Sequence, residues 1–221
     1  MTMKNEQCEI VMVLDESGSM SACKSATISG VNEFLMNQKR IKGDANVTLV
    51  KFSDYYTVIN DAVPLNQVTY LGESNYTPSY TTSLLDAVGI TINSISNRLA
   101  NMPDENWPQK VIFVVITDGY ENTSKEFSRK QVFEMVSYQK LTHNWEFIFL
   151  GADIDSWGEK IGIVFNVNIQ KNDLKRSFKG LSHHVLNCRM NKIFEGNDSF
   201  DLSEEQLDRN LNEIGSYEDM E

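Results

Sequence analysis

Two stretches of the chain are apolar without interruption, residues 10–14 (IVMVL) and 111–116 (VIFVVI). Each stops at a turn that carries a carboxylate: Asp15-Glu16-Ser17-Gly18-Ser19 after the first, Thr117-Asp118-Gly119 after the second. A strand with no polar alternation has no face to offer water. It has to be covered on both sides, which is the condition of a central strand in a largely parallel sheet.

The segments between supply the cover. Over residues 24–38, Ile28, Val31 and Leu35 recur at helical spacing, and Leu85, Val88, Ile92, Ile95 and Leu99 do so over 82–100. Ser128-Arg129-Lys130-Gln131 is a capping-box pattern that opens a helix through 141. Residues 47–52 and 146–150 read as further strands. Ser53-Asp54 turns the chain, so residues 56–59 read as an antiparallel partner of 47–52. Residues 61–80 read as a long loop, 156–160 as a short helix, 162–169 as an edge strand and 173–191 as a last helix. The alternation predicts an α/β fold: Rossmann-like and doubly wound, with a mostly parallel sheet, one antiparallel strand and helices on both faces.

The chain has 221 residues, enough for one sizeable core. Its net charge of −11 is unevenly spread. Residues 195–221 hold ten Asp or Glu and one Arg, so the acidity belongs mainly to this segment. The expected organisation is a domain over 1–194 and an acidic C-terminal tail over 195–221. Phosphate recognition needs basic clusters, so no nucleic-acid partner is expected. No apolar run approaches a membrane span, and MTMKNEQCE lacks the apolar core of a secretory leader, so neither a membrane partner nor export is expected. The three cysteines, Cys8, Cys23 and Cys188, are widely spaced without a C-x-x-C pattern. That favours a reducing, cytoplasmic setting.

In an open α/β sheet, ligands gather outside the carboxyl ends of the strands. Three oxygen-rich segments reach that edge: Asp15, Ser17 and Ser19; Thr82, where a loop enters its helix; and Asp118. Two carboxylates and three hydroxyls suit a hard cation such as Mg²⁺, with Mn²⁺ and Ca²⁺ as alternatives. No Cys or His joins the set, so zinc or copper is a poor match. Hydroxyl ligands leave a bound cation under-neutralised, which favours an anionic ligand from outside.

At these residues the chain resembles a von Willebrand factor type A domain, through DESGS at 15–19, the Thr of TTSLLDA at Thr82 and the Asp of ITDG at Asp118. The likeness extends over about residues 8–191 and is closest to small stand-alone bacterial and phage-type members, through VLDESGSM, LLDAVG, ITDGYENTS and WEFIFLGA. It implies a metal-ion-dependent adhesion site with Ser17 and Ser19 as direct ligands. Thr82 would bind directly or through water, and Asp15 and Asp118 mostly through water and hydrogen bonds to the serines. It also implies a protein partner whose Asp or Glu completes the metal shell.

Tyr55, Tyr56, Tyr70, Tyr76, Tyr80 and Tyr120 fall on loops near this edge. Glu16, Tyr80, Tyr120 and Glu121 are the expected partner-contacting rim, with Glu121 solvated. Thr123 and Ser124 read as turn residues. Trp107 and Trp145 read as core or rim, Trp157 as an exposed contact, and His183 or His184 as solvent-facing rather than a metal ligand. The acidic tail is long enough to bring a carboxylate of the same chain, or of a second copy, to the metal.

The leading expectation is therefore an Mg²⁺-dependent protein-interaction module with no catalytic residues. One alternative is a self-assembling structural component joined through the tail. The other is a metal-dependent phosphohydrolase. Aspartate-dependent phosphatases typically need a second Asp two residues after the first, and here that position is Ser17.

Overall fold

The computed structural model describes residues 7–119, 121–151, 157–163, 165–168 and 174–190. Tyr120, the side chain of Trp157 and the acidic segment 195–221 lie outside the described residues. The strands are β1 (Cys8–Asp15), β2 (Ala45–Phe52), β3 (Tyr56–Pro64), β4 (Lys110–Thr117), β5 (Glu146–Gly151) and β6 (Phe165–Asn168). They form one sheet in the order β3-β2-β1-β4-β5-β6. Among the described residues, only the β2–β3 pair is antiparallel. This is the expected doubly wound, mostly parallel fold.

The helices are α1 (Lys24–Lys39), α2 (Leu84–Ala100), α3 (Arg129–His143), α4 (Trp157–Lys160) and α5 (Leu174–Arg189). The central strands sort their side chains by parity, as a pleated strand must. Ile10, Met12 and Leu14 of β1 join Ile112, Val114 and Ile116 of β4 under α1 and α5. Val11 and Val13 join Val111, Phe113 and Val115 under α2 and α3. Both faces of the two apolar runs are therefore consumed by core. The approach of α1 to α5 requires Gly30, where a Cβ would meet the Phe178 ring at 2.1 Å.

The chain leaves β1 toward β2 on one side and reaches β4 on the other. The strand order reverses between β1 and β4, and their carboxyl ends diverge there. Leu14 pairs with Ile116, so Asp15 and Thr117 end the two strands side by side.

Three local expectations are corrected. The long loop begins later than residue 61, because β3 runs to Pro64 and a 3₁₀ turn follows over Leu65–Gln67. Asn60, within that strand, is buried and exchanges two side-chain bonds with the Thr69 backbone, at 2.8 and 3.0 Å. His183 and His184 are both buried, not solvent-facing. Tyr76 is buried rather than on a rim.

Candidate metal centre

The five expected ligand residues come from three segments at the divergence of β1 and β4. Asp15 ends β1 and is fully buried. Ser17 is buried on the following turn and Ser19 is exposed beyond it. Thr82 is buried two residues before α2, and Asp118 is half-buried just past β4. The floor of the site is therefore dry, and its mouth faces solvent at Ser19 and Asp118.

The oxygens are wired together. The Ser17 amide donates to Asp15 Oδ1 at 2.7 Å, and the Thr117 hydroxyl donates to Asp15 Oδ2 at 2.5 Å. Ser19 Oγ donates to Asp118 Oδ1 at 2.6 Å and stands 3.1 Å from Ser17 Oγ. Gly119 completes the cradle. A Cβ there would lie 3.3 Å from Ser19 Oγ, 3.3 Å from Thr82 Oγ1 and 3.5 Å from Asp15 Oδ2. One point in space, on the third segment, thus sees oxygens from the other two.

The electrostatics suit a cation. Burial pushes the Asp15 carboxyl above its ordinary range; hydrogen bonds from Thr117 and Ser17 partly offset this, and nearby Asp118 adds to it. A dry carboxylate beside a second one gains from a positive charge between them. Among the described residues no cluster of three His, Cys, Asp or Glu side chains could hold a metal. The donor set is instead hydroxyl plus carboxylate, which fits an oxygen-seeking divalent ion.

The surrounding loops hold this arrangement in place. Tyr76 donates its hydroxyl to the Asp15 carbonyl at 2.7 Å from inside the core. The Gly18 amide donates to the Tyr80 carbonyl at 3.1 Å, and the Ser79 amide to the Glu16 carbonyl at 2.9 Å. Asn122 grips Thr82 reciprocally: Thr82 N donates to Asn122 Oδ1 at 3.0 Å and Asn122 N to Thr82 O at 3.1 Å.

The expected rim residues have different surroundings. Tyr80 is 63% exposed, sits at φ 66° and packs edge-on against Tyr55, which is 66% exposed. Glu16 is paired with Lys51 at 2.8 Å and accepts from the Thr77 amide at 2.6 Å. Glu121 is not simply solvated. Its two oxygens accept from the Leu85, Thr123 and Ser124 amides and from the Ser124 hydroxyl, at 2.7–2.9 Å. Both acids thus brace loops around the site. Tyr56 is tied to Thr91, and Tyr70 lies under the Lys39 ammonium. Tyr120 lies outside the described residues.

Sequence reasoning placed Thr117-Asp118-Gly119 at this edge but missed the bracing roles of Thr117, Asn122 and Tyr76. For Thr117 a signal existed: it is the one hydroxyl at the end of an otherwise apolar run, in register with Asp15. Asn122 and Tyr76 act through loop geometry that no spacing reveals.

No protein-family model matches the chain, and no curated protein matches it. Solved structures do share its fold. Proximal thread matrix protein 1 from the mussel byssus, solved with a zinc-occupied MIDAS motif, is 15% identical with a TM-score of 0.54 over 81% of this chain and 46% of that one. A von Willebrand factor type A structure from Catenulispora acidiphila is 10% identical with a TM-score of 0.53, over 80% and 42% of the two chains. The ArnB paralog VWA2 from Sulfolobus acidocaldarius is 17% identical with a TM-score of 0.52, over 83% and 46%. This chain spans less than half the length of each of these structures. Its structural neighbours are von Willebrand factor type A domains, and at these identities the likeness establishes the shared fold.

Proposed function

We propose that this chain is a divalent-cation-dependent protein-interaction module, with Mg²⁺ as the ion and an Asp or Glu of a protein partner as the last ligand. One observation carries the reading: Ser19, Thr82 and Asp15 present oxygens to a single point beside Gly119, at a solvent-facing mouth. The ion, when bound, supplies a positive charge for a carboxylate to meet. Asp15, Ser17, Ser19, Thr82 and Asp118 hold it. Thr117 and the Ser17 amide keep Asp15 oriented, and Asn122 keeps Thr82 at the floor. The Tyr55–Tyr80 pair offers exposed aromatic surface at the same edge, of the kind that anchors protein interfaces. A crevice of about 730 Å³ runs alongside, lined in part by Leu85, Asn122, Phe127, Arg129 and Phe133, and gives further contact area.

Binding is favoured over catalysis by the state of Asp15. Both of its oxygens accept hydrogen bonds and its side chain is dry, so it is held as a brace rather than offered as a nucleophile. The free thiols of Cys8, Cys23 and Cys188 suit a reducing compartment, and we extend the proposal to a cytoplasmic setting in a bacterial or phage system. Among the described residues no helix is long and apolar enough to cross a membrane.

The test is capture of aspartate- or glutamate-bearing peptides by the full chain, in Mg²⁺ and in EDTA. Retention in Mg²⁺, loss in EDTA and loss when the carboxylate becomes an amide support the reading. Equal retention in all three overturns it. The chain's own segment 195–221 is the competing carboxylate source; a chain with those acids neutralised binds such peptides more tightly only if the segment occupies the mouth. A phosphate-release assay that stays at background separates the module from a phosphohydrolase.

A further inference from the structure

The crevice beside the metal centre has fixed walls. Two of them are aromatic rings seated against glycines. A Cβ on Gly89 would meet the Phe127 ring at 2.5 Å, so the bare backbone of α2 is what lets that ring close on it. A Cβ on Gly162 would lie 3.3 Å from Phe133 Cδ2. The loop that carries Phe127 is pinned to α2 by two carboxylates. Glu121 accepts from the Leu85, Thr123 and Ser124 amides, and Asp86 from the Lys125, Glu126 and Phe127 amides, all at 2.7–2.9 Å. A surface shaped in advance binds without a large ordering cost.

The walls combine apolar surface with positive charge. Leu85, Phe127 and Phe133 line the crevice, and its volume of about 730 Å³ holds more than one side chain. Phe133 is 46% exposed, a large ring turned partly to water. The charged side chains described on the walls are Arg129, Lys130, Lys160 and Glu121, three cations to one acid on a chain of net charge −11. Glu121 turns both oxygens to the loop amides and the Ser124 hydroxyl. Lys130 reaches furthest into solvent: its side chain is 85% exposed, and its ammonium stands 3.8 Å from Glu134 Oε1 in a pair that water screens.

The crevice and the cation cradle share a partition. Asn122 lines the crevice and holds Thr82 of the cradle, whose amide donates to Asn122 Oδ1 at 3.0 Å. Leu85, on the crevice wall, lies three residues past Thr82. In an extended peptide, side chains two residues apart share a face and stand about 7 Å from each other. A carboxylate at the mouth therefore brings the second side chain to one side of it across Asn122.

We infer that a partner is read at this crevice as well as at the metal: a large apolar side chain two residues from the metal-bound carboxylate enters between Phe127 and Phe133, and a further acid beyond it meets Lys130. The inference rests on the metal reading for its anchor. It adds the chemical class of the partner, an acidic segment with an aromatic residue set between two of its carboxylates.

Fluorescence anisotropy of labelled peptides on the full chain, in Mg²⁺ and in EDTA, tests it. One peptide carries a central Glu with Ala two residues to each side, and two others replace one or the other Ala by Phe. Phe at one of these positions binds about tenfold tighter than Ala. Phe133→Ala brings the ratio of the two affinities toward one. A Phe peptide extended by Glu binds the unaltered chain severalfold tighter than one extended by Lys, and the difference shrinks in high salt. Lys130→Glu reverses that order. Mg²⁺-dependent binding that is equal for Phe and Ala peptides, a Phe gain that survives Phe133→Ala, or a preference of the unaltered chain for the Lys extension overturns this inference and leaves the metal reading standing. No Mg²⁺-dependent binding of any of these peptides overturns the metal reading, and this inference with it.

Discussion

The Thr117 hydroxyl donates to Asp15 Oδ2 at 2.5 Å, joining the last residues of two neighbouring strands inside the core. Hydrogen bonds to a buried charge are worth more than neutral ones. Thr117→Val keeps the shape of the strand and removes the donor. The expected cost is about 1–3 kcal/mol of stability in urea unfolding. The same variant binds Mg²⁺ more weakly, because the Asp15 carboxylate loses its orientation.

Asp15 itself has the opposite effect on the metal-free fold. Its carboxyl is held above the ordinary range by burial, so the folded chain protonates it more readily than the unfolded chain does. Its contribution to stability is full below the unfolded pKa and is lost as pH rises through the folded value. At neutral pH, Asp15→Asn therefore melts higher than the parent in EDTA. Addition of Mg²⁺ raises the melting temperature of the parent and leaves the variant unmoved, since only a ligand bound to the native state stabilises it. A variant that melts lower than the parent in EDTA contradicts the account.

Gly119→Ala separates the site from the fold. The added methyl meets Ser19 Oγ and Thr82 Oγ1 at 3.3 Å, in the cradle itself. Thermal unfolding in EDTA shifts by only a few degrees, while the Mg²⁺-dependent rise disappears.

His184 predicts an acid-sensitive core distant from the metal. Burial, with the charges of His183 and Lys110, lowers its pKa to about 4. The unfolded chain takes up the proton near pH 6.5 and the folded chain resists it, so stability is intact above pH 6.5 and drains as pH falls toward about 4. Melting temperatures measured across this window fall in the parent. The fall is shallower in His184→Gln, which cannot titrate.

Tyr80 tests the rim. A non-glycine residue at φ 66° carries a cost of about 1–2 kcal/mol. Tyr80→Gly relieves that strain and loosens the unfolded chain by a comparable amount, so stability changes by less than about 1 kcal/mol. Partner capture weakens, because the exposed ring against Tyr55 is gone.

Much of this molecule is legible in its sequence because its central strands obey one constraint. Ile10–Leu14 and the run before Thr117 have no polar face, and only a covered parallel sheet accommodates them. The turns after them bring Asp15 and Asp118 to one edge by topology alone. What stays hidden depends on long-range packing. Residues from 61 on read as loop, yet Asn60 is satisfied by Thr69 and the strand continues to Pro64. Glu121 looks like a solvated rim charge, yet it caps the start of α2 and a loop. His183 and His184 sit in a stretch whose polar residues look exposed, and α5 buries them on more than one side.

The central claim is that the cradle at Asp15, Ser17, Ser19, Thr82 and Asp118 holds a divalent cation with a position left for an outside carboxylate. Mn²⁺ titration of the full chain, followed by electron paramagnetic resonance and water-proton relaxation, tests it most directly. The account predicts a single bound Mn²⁺ that relaxes water, loses that relaxation when a glutamate-bearing peptide is added, and is absent in Asp118→Ala. Binding of Mn²⁺ with undiminished affinity in Asp118→Ala, or water relaxation indifferent to every carboxylate peptide, contradicts it.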